Sequence, residues 1–184
     1  MNLSGKLLIA MPGMGDPRFE QSVVYLCAHS RDGAMGLIVN KPIEDLRFSD
    51  LLEQLGIPPG PGRIEVPVHA GGPVEHGRGF VLHSAEYRSK ASTLKVDDTF
   101  GMTSTLDILE DLAAGRGPDA ALLALGYSGW GPGQLESEIG HNGWLTCDAS
   151  RDIVFNHSDD GKWRAALTAL GIDAHLLSST SGRA

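Results

Sequence analysis

Ser128 lies in a segment whose residue types suggest nucleophilic chemistry, GYSGW at positions 126–130. An esterase nucleophile occupies the pattern Gly-x-Ser-x-Gly, because the flanking glycines relieve crowding in a strained turn between a strand and a helix. Gly126 and Ser128 match this pattern, but Trp130 stands where the second glycine is needed. The segment therefore favours a glycine-rich corner that positions Trp130 in the packing over an esterase site.

The same segment suggests a second chemistry, anion binding at the start of a helix. Residues 133–139 are predicted to be helical, and the backbone N–H groups near Gly131 could bind an anion. A Walker phosphate loop ends in a lysine and a hydroxyl residue, whereas this loop continues with Gln134 and Glu136. Glu136 would repel a phosphate, and it stabilises the positive end of its own helix instead. A structural strand–turn–helix is favoured, with a weak ligand contact as the alternative.

Three histidines recur at intervals of seven residues, at His69, His76 and His83. If residues 66–70 pair with residues 80–84, His69 and His83 lie diagonally on one face of a sheet. A zinc site needs at least a third protein ligand and groups that orient the ligands. His76 falls in a loop, and no acidic ligand is evidently placed beside it. We therefore predict hydrogen-bonded or solvated histidines, and neither a metal nor a cofactor.

Charge limits the classes of partner. The chain has 23 acidic and 15 basic residues and a formal net charge of −8 over 184 residues. Such a surface repels polyanions, and the basic residues are scattered, with their densest group at Arg88, Lys90 and Lys95. Nucleic-acid-binding modules normally show a basic stripe or a recognition helix. We therefore expect no direct binding to DNA.

The apolar runs and the cysteines indicate the compartment. The N-terminal apolar run covers only residues 7–11, which is too short for the core of a signal peptide, and no run is long enough to span a membrane. The chain has two cysteines, Cys27 and Cys147, whose placement does not resemble a disulfide framework. We expect a cytoplasmic protein that does not bind membranes.

Hydrophobic periodicity predicts the elements that must position these residues. Strands are predicted at residues 6–11, 22–30, 34–40, 66–70, 79–84, 93–96, 120–125, 143–146 and 152–155. Helices are predicted at residues 48–56, 103–115, 133–139 and 159–171, and the helix at 103–115 has an apolar stripe of Leu106, Leu109, Leu112 and Ala113. Residues 22–40 form a hairpin, and residues 66–70 and 79–84 are predicted to pair around their loop. The fold class is α/β of the mixed α+β type, a single compact domain with a mixed sheet covered by helices.

Several stretches together resemble one known family. They are LIAMPGMGDPRFEQSVVYLCAHSRDGAMGLIVNKP, AGGPVEHGRGFVLH, ALGYSGWGPGQLESEI and NGWL. In order and spacing they are similar to the AlgH/YqgE family of bacterial proteins. The resemblance implies one domain at residues 1–177 with a partly barrel-like sheet surrounded by helices. The small polar residues at 178–184 themselves predict a disordered tail. It implies a cytosolic location, and some similar proteins are labelled transcriptional regulators.

The candidate ligand or partner contacts come from the polar and glycine positions of these stretches. Asn40 and Lys41 end a buried strand with polar groups that a core does not need, and the loop at Gly72 could form a backbone nest for an anion. The full set is Asp16, Asn40, Lys41, Gly72, Arg78, Trp130, Gln134 and Glu136. The resemblance supplies no catalytic residue for this set.

Three functions are compatible with these observations. The first is a non-enzymatic binding or regulatory module that acts through a protein partner or a small anionic ligand. The second is a small-molecule enzyme with an unfamiliar site built from Asn40, Lys41, Gln134 and Glu136. The third is a transcriptional regulator, which rests on the family label. The absence of a recognised catalytic motif favours the first.

Overall fold

Nine strands form one curled sheet in the computed structural model, which describes residues 1–61 and 65–177. The strands are β1 (Lys6–Ala10), β2 (Val23–Ser30), β3 (Gly33–Ile38), β4 (Val68–Ala70), β5 (Val74–Ser84), β6 (Leu94–Lys95), β7 (Phe100–Thr103), β8 (Ala121–Trp130) and β9 (Trp144–Asp148). The helices are α1 (Phe48–Gln54), α2 (Leu106–Ala113), α3 (Gln134–Gly140) and α4 (Asp159–Ala169). Shorter elements are 3₁₀ turns at Pro17–Phe19 and Ala174–Leu176 and a π-helical segment at Asp152–Asn156.

Strand β8 is the centre of the sheet. The strand order is β6-β7-β5-β8-β3-β2-β1-β9, and β4 lies beside β8. One edge of β8 pairs with β5, and the other edge is shared by β4 and β3. The β4–β8 pair is parallel, whereas every other strand pair in the described part of the chain is antiparallel. The single domain with a mixed, half-barrel sheet and surrounding helices is confirmed.

Both faces of the sheet are covered by packed side chains. Successive residues of a strand point to opposite faces, and along β8 Leu122 and Ala124 join one core while Leu123 joins another under α1 and α2. Helix α4 adds Ala166 and Leu167 to the first core. This double burial explains why the strands read as nearly continuous apolar runs.

Helix α2 buries a narrower stripe than the sequence predicts. Leu109, Leu112 and Ala113 face the core as expected, together with Ile108, but Leu106 is 55% exposed. Leu106 is the first residue of the helix.

The predicted pairing of residues 66–70 with 79–84 is wrong, because β4 and β5 each pair with β8 instead. The intervening chain crosses β8 very closely. A Cβ atom on Gly72 would lie 2.1 Å from the carbonyl carbon of Tyr127, so only glycine fits at this crossing. Residues that were expected to form the loop belong to β5, which has a register irregularity between Val74 and Gly79.

The predicted strand at residues 152–155 is also wrong, because this segment is π-helical. The N–H of His157 donates to the carbonyl of Asp152, which closes a turn one residue wider than that of an α-helix. The apolar residues Ile153 and Val154 are buried, as their types suggest, but with helical geometry. The predicted tail at 178–184 lies outside the described residues.

Within residues 1–61 and 65–177, none of the helices is long and apolar enough to cross a membrane.

Candidate functional site

Asn40 and Lys41 fix the chain segment that leads into β2. The side-chain oxygen of Asn40 accepts the N–H of Val23 at 2.9 Å, and its amide nitrogen donates to the carbonyl of Gln21 at 2.9 Å. The Lys41 ammonium donates to the carbonyl of Glu20 at 2.5 Å. Gln21 has a φ of 52°, a left-handed conformation that is unfavourable for a side chain of this kind. The polar residues after β3 therefore hold a strained backbone in place.

Asp16 orders the middle of the same segment. Its carboxylate accepts the backbone N–H of Arg18 at 3.0 Å and the Arg18 guanidinium at 2.8 Å, and so begins the 3₁₀ turn. The hydrogen bond from the Arg18 side chain lowers the pKa of the half-buried Asp16 carboxyl below its usual value. Side chains that the sequence analysis selected therefore hold the middle of residues 11–21, through Asp16, and its C-terminal end, through Asn40 and Lys41.

This segment and helix α4 enclose a cleft of about 480 Å³. That volume lies within the roughly 300–1,000 Å³ typical of small-ligand sites. The cleft is lined by Ala10, Met11, Pro12, Met14, Gly15, Asp16, Pro17, Glu20, Gln21, Trp163, Arg164, Ala174 and Leu177. The indole N–H of Trp163 donates to the carbonyl of Ala10 at 2.9 Å, which fixes α4 against the end of β1. The exposed Arg164 guanidinium contacts the ring of His175 at 3.0 Å.

A buried charged cluster fastens the start of α4 to the sheet. The Nε2 atom of His69 lies 2.9 Å from the Asp159 carboxylate, and its Nδ1 atom lies 3.3 Å from the carbonyl of Leu123. The Lys162 ammonium donates to Asp159 at 2.9 Å and to the carbonyl of Val39 at 2.7 Å. His69 and Lys162 are 1% and 3% exposed. The cluster joins the ends of β3 and β4 to the helix that forms one wall of the cleft.

Burial and hydrogen bonding act in opposite directions on this cluster. Burial raises the pKa of Asp159, but the hydrogen bonds from His69 and Lys162 outweigh it and leave the pKa below its usual value. Burial lowers the pKa of Lys162, and the bond to Asp159 opposes that shift. Sequence reasoning missed Asp159 and Lys162. The sequence does contain a signal for this pair: Lys162 lies four residues before Ala166, on the apolar face of α4, and three residues after Asp159, the spacing of an ion pair on a helix.

Trp130, Gln134 and Glu136 form a second group around α3. Trp130 packs with Phe19 and Trp144, with ring centroids 6.5 Å and 6.0 Å away. The Gln134 side chain accepts the N–H of Gly131 at 3.0 Å. Phe19 belongs to the 3₁₀ turn of the cleft segment, so this aromatic group packs directly against that segment.

Glu136 forms a hydrogen bond with a buried histidine. Its carboxylate lies 2.5 Å from the Nε2 atom of His29. The Nδ1 atom of His29 accepts the N–H of Leu3, so Nε2 carries the proton that is donated to Glu136. The backbone N–H of Glu136 itself, and then His29, lower the pKa of this exposed carboxyl.

Gly72 and Arg78 lie apart from both groups. Gly72 is at the crossing over β8, and the Arg78 guanidinium lies 5.0 Å from the ring centroid of Phe80 and 3.4 Å from Glu75. The fold thus brings Asp16, Asn40 and Lys41 together at the cleft segment, but it does not gather all eight candidates into one site.

Ser128 is a strand residue and not part of a turn. Strand β8 continues through GYSGW to Trp130, and Ser128 is fully buried with its hydroxyl donating to the carbonyl of Gly71 at 3.3 Å. The predicted corner at residues 126–130 is therefore wrong, since the turn follows Trp130. A nucleophile elbow is excluded at this position, because such an elbow exposes its serine.

His69 and His83 lie on opposite faces of the sheet. His69 pairs with Ala124 of β8, whereas His83 pairs with Ala121, three positions away. An odd number of positions along a strand reverses the face. His83 contacts the carbonyl of Ser84 and the hydroxyl of Thr103, both at 2.8 Å. The hypothesis of a shared face is wrong.

Comparison with known proteins agrees with this architecture over nearly the whole chain. A family model described as AlgH-like matches residues 7–175. The chain belongs to the AlgH-like family. Among AlgH-like relatives, the UPF0301 protein SPO0296 of Ruegeria pomeroyi is 66% identical and RHOS4_26140 of Cereibacter sphaeroides is 61% identical, each over 100% of both chains. These names state no activity, substrate or partner.

Two solved structures share the AlgH-like fold. The AlgH protein from Pseudomonas aeruginosa is 41% identical, with a TM-score of 0.79 over 100% of this chain and 97% of that one. Protein DIP2367 from Corynebacterium diphtheriae is 18% identical, with a TM-score of 0.71 over 90% of this chain and 85% of that one. At that identity the second likeness concerns the fold alone.

Proposed function

We propose that the protein is a non-enzymatic binding module that holds a small ligand in the cleft between residues 11–21 and helix α4. The observation that carries this proposal is the support of the cleft wall. Asn40 and Lys41 hold its backbone through three hydrogen bonds to residues 20–23. Keeping the strained Gln21 conformation costs roughly 1–3 kcal/mol, a cost expected where a binding surface is preorganised. Such an arrangement favours binding over chemistry.

The lining residues indicate the kind of ligand. Met11, Pro12 and Trp163 offer apolar surface, and the Arg164 guanidinium offers the donors that pair with a carboxylate or phosphate. Glu20 supplies an acceptor on the opposite wall. A small molecule with an apolar body, an anionic group and a hydrogen-bond donor fits this lining.

The enzyme alternative has weaker support. Asn40, Lys41, Gln134 and Glu136 each bond to a backbone group or to a neighbouring side chain. His69, whose carboxylate partner Asp159 lies on α4, is buried and has an acceptor at each ring nitrogen. Neither set offers a free proton donor or nucleophile aimed at the cleft. Turnover of a substrate that is lost on replacing one of these residues would overturn the binding assignment.

We also propose that any regulatory role operates from the cytoplasm through the bound ligand or a protein partner, without direct contact to DNA. The net charge of −8 supports the exclusion of DNA. Both cysteines of the chain are free thiols, which supports a reducing compartment. Salt-dependent binding to duplex DNA, measured at low ionic strength, would count against this view.

Native mass spectrometry tests the proposal. The protein would be isolated gently from its native host cells as the wild type, as Arg164→Glu and as Arg31→Glu. The last variant is the matched control, because Arg31 is an exposed arginine on the β2–β3 turn. We expect additional non-covalent mass on the wild type and on Arg31→Glu, and much less on Arg164→Glu. Equal additional mass on all three proteins, or none on any of them, would contradict a ligand in this cleft.

A further inference from the structure

A groove between α1 and α2 exposes apolar side chains that the ligand cleft does not use. Leu55 follows the end of α1 and is 47% exposed, and Leu106 begins α2 and is 55% exposed. Both line the same depression over β5 and β8. Single exposed leucines are ordinary on a protein surface, whereas a contiguous apolar depression flanked by two of them indicates a contact surface.

The floor of the groove is open because β5 carries glycines there. A Cβ atom on Gly79 would lie 3.7 Å from side-chain carbons of Leu123 and Leu125, which is ordinary van der Waals contact, and a Cβ on Gly77 would meet no atom within 4 Å. Neither glycine has a positive φ. Glycine is therefore not required there by backbone strain or by crowding, and its effect is to leave the depression unfilled.

The size of the groove distinguishes between kinds of occupant. Its volume is about 250 Å³. Small-molecule sites typically enclose roughly 300–1,000 Å³. The smaller volume suits one or two apolar side chains that project from a larger partner, which is how anchor residues fill pockets at protein interfaces.

The charges on the two helices that flank the groove are of one sign. Helices α1 and α2 contain five acidic residues and no basic residue: Asp50, Glu53, Asp107, Glu110 and Asp111. Asp107 bonds to the hydroxyls of Ser89 and Thr105, and Asp111 bonds to Tyr87 and lies 3.6 Å from Arg116. Glu110 is exposed one helical turn after Leu106, whereas Glu53 faces away from the groove residues Leu51, Gln54 and Leu55. A second copy of this chain would bring like charges together, so these helices disfavour self-association and favour a basic partner.

We propose that the α1–α2 groove docks an amphipathic segment of a partner protein, with one or two apolar anchors between Leu55 and Leu106 and with lysine or arginine beside Glu110. Helix-in-groove recognition uses this combination of apolar anchors and flanking charge. The inference goes beyond the small-ligand function and uses a different surface, so either one can fail alone.

The test is a methyl NMR titration with a defined peptide pair. One synthetic helical peptide carries leucine on one face and lysine on the other, and the second carries glutamate in place of each lysine. Binding to wild type is compared with Leu55→Ser/Leu106→Ser, with Gly79→Val, which fills the floor, and with Leu94→Ser. Leu94 is the matched control, because it is 43% exposed and lies on β6, outside the groove.

The expected result is that the lysine peptide shifts the methyl signals of Leu51, Leu109 and Leu125. Its affinity should fall about tenfold or more in the double variant and in Gly79→Val, with no change in Leu94→Ser. The glutamate peptide should bind at least tenfold more weakly, and salt should weaken the lysine peptide. Equal binding of both peptides, equal binding to all variants, or shifts spread over the surface would overturn the proposal. A wild-type dimer that the Leu106→Ser substitution dissociates would also overturn the proposal, because it would show that the groove serves self-association. A small molecule retained in the groove after purification would overturn it as well, because it would show that the groove holds a ligand.

Discussion

Replacing Asn40 by alanine is expected to destabilise the protein and loosen the wall of the cleft. The side chain makes two hydrogen bonds of 2.9 Å, to the N–H of Val23 and to the carbonyl of Gln21. Val23 is fully buried, so its N–H is left without its partner. Each lost hydrogen bond costs about 1 kcal/mol and a buried unsatisfied donor about 1–3 kcal/mol. Together these give a loss of about 2–4 kcal/mol, since the terms overlap at Val23.

Urea denaturation followed by circular dichroism measures this loss directly. Thermal unfolding gives a second readout: at about 2–4 °C per kcal/mol for a chain of this size, the midpoint Tm should fall by roughly 4–16 °C. The Asn156→Ala variant is the matched control, because the Asn156 amide contacts only the exposed Asp152, at 3.4 Å. It should remain within about 0.5 kcal/mol of wild type. Asn40→Asp keeps an oxygen that accepts the Val23 N–H, so its free energy of unfolding should fall by less than that of Asn40→Ala.

The outcome that refutes this reasoning is a small effect. If Asn40→Ala lies within about 0.5 kcal/mol of wild type, the amide does not hold residues 20–23 and the cleft wall is not preorganised by it. Hydrogen exchange gives an independent check, because the Val23 N–H should exchange faster in Asn40→Ala than in Asn156→Ala.

Three further predictions concern buried charge, pH and thiols. Lys162→Met should lower the free energy of unfolding in urea by about 3–5 kcal/mol, because the other members of the buried cluster lose their cation. The control Lys95→Met, at an exposed position, should lower it by less than about 0.5 kcal/mol. Equal losses in the two variants would contradict the assignment. Burial raises the pKa of Asp107, but its hydrogen bonds outweigh this effect and lower the pKa from 3.8 to about 2. The stabilisation from Asp107 is therefore present above pH 3.8 and is lost as the pH falls toward 2, so over that range the unfolding free energy of wild type should fall by about 1–2 kcal/mol more than that of Asp107→Asn. Parallel curves of unfolding free energy against pH for the two proteins would refute the shift. Burial raises the pKa of Cys27 to about 12 and that of Cys147 to about 11. Iodoacetamide at about pH 8 should therefore label both thiols slowly until denaturant is added. Rapid labelling of the native protein would contradict this prediction, because it would show that the thiols are accessible.

Local patterns identified most elements of the fold. Strands β1, β2 and β8 are buried on both faces, so their apolar runs are readable from sequence without knowledge of their partners. The segment at residues 152–155 has the same apolar character but is π-helical, because the composition of a short run does not specify its hydrogen-bond pattern. The parallel β4–β8 pair joins segments that are 55 positions apart, from Val68 to Leu123, and no local signal encodes that pairing.

The candidate site was predictable in part. Asn40 and Lys41 stood out because polar residues at the end of a buried strand need partners, but sequence does not show that those partners are the carbonyls and the N–H of residues 20–23. The contact between His69 and Asp159 spans 90 positions and depends on where α4 docks. Ser128 was read as part of a turn because Gly126 and Gly129 suggest one, whereas both glycines lie within β8. Gly126 has a φ of 76°, and a Cβ atom on it would lie 2.8 Å from the carbonyl oxygen of Gly72. Glycine at this position therefore allows the chain at Gly72 to pass closely over β8.

The most direct test of the ligand cleft is a two-dimensional ¹H–¹⁵N NMR spectrum of the wild-type protein, recorded before and after addition of a protein-free small-molecule extract of its native host. The Trp163 indole N–H reports on the cleft, because it donates to the carbonyl of Ala10 within the lining. The indoles of Trp130 and Trp144 are buried in another core and serve as internal controls. If the cleft holds a ligand, we expect shifts at Trp163 and at the amides of residues 11–21, with the two control indoles unchanged. Unchanged cleft signals, or shifts confined to other surfaces, would contradict a ligand in the cleft.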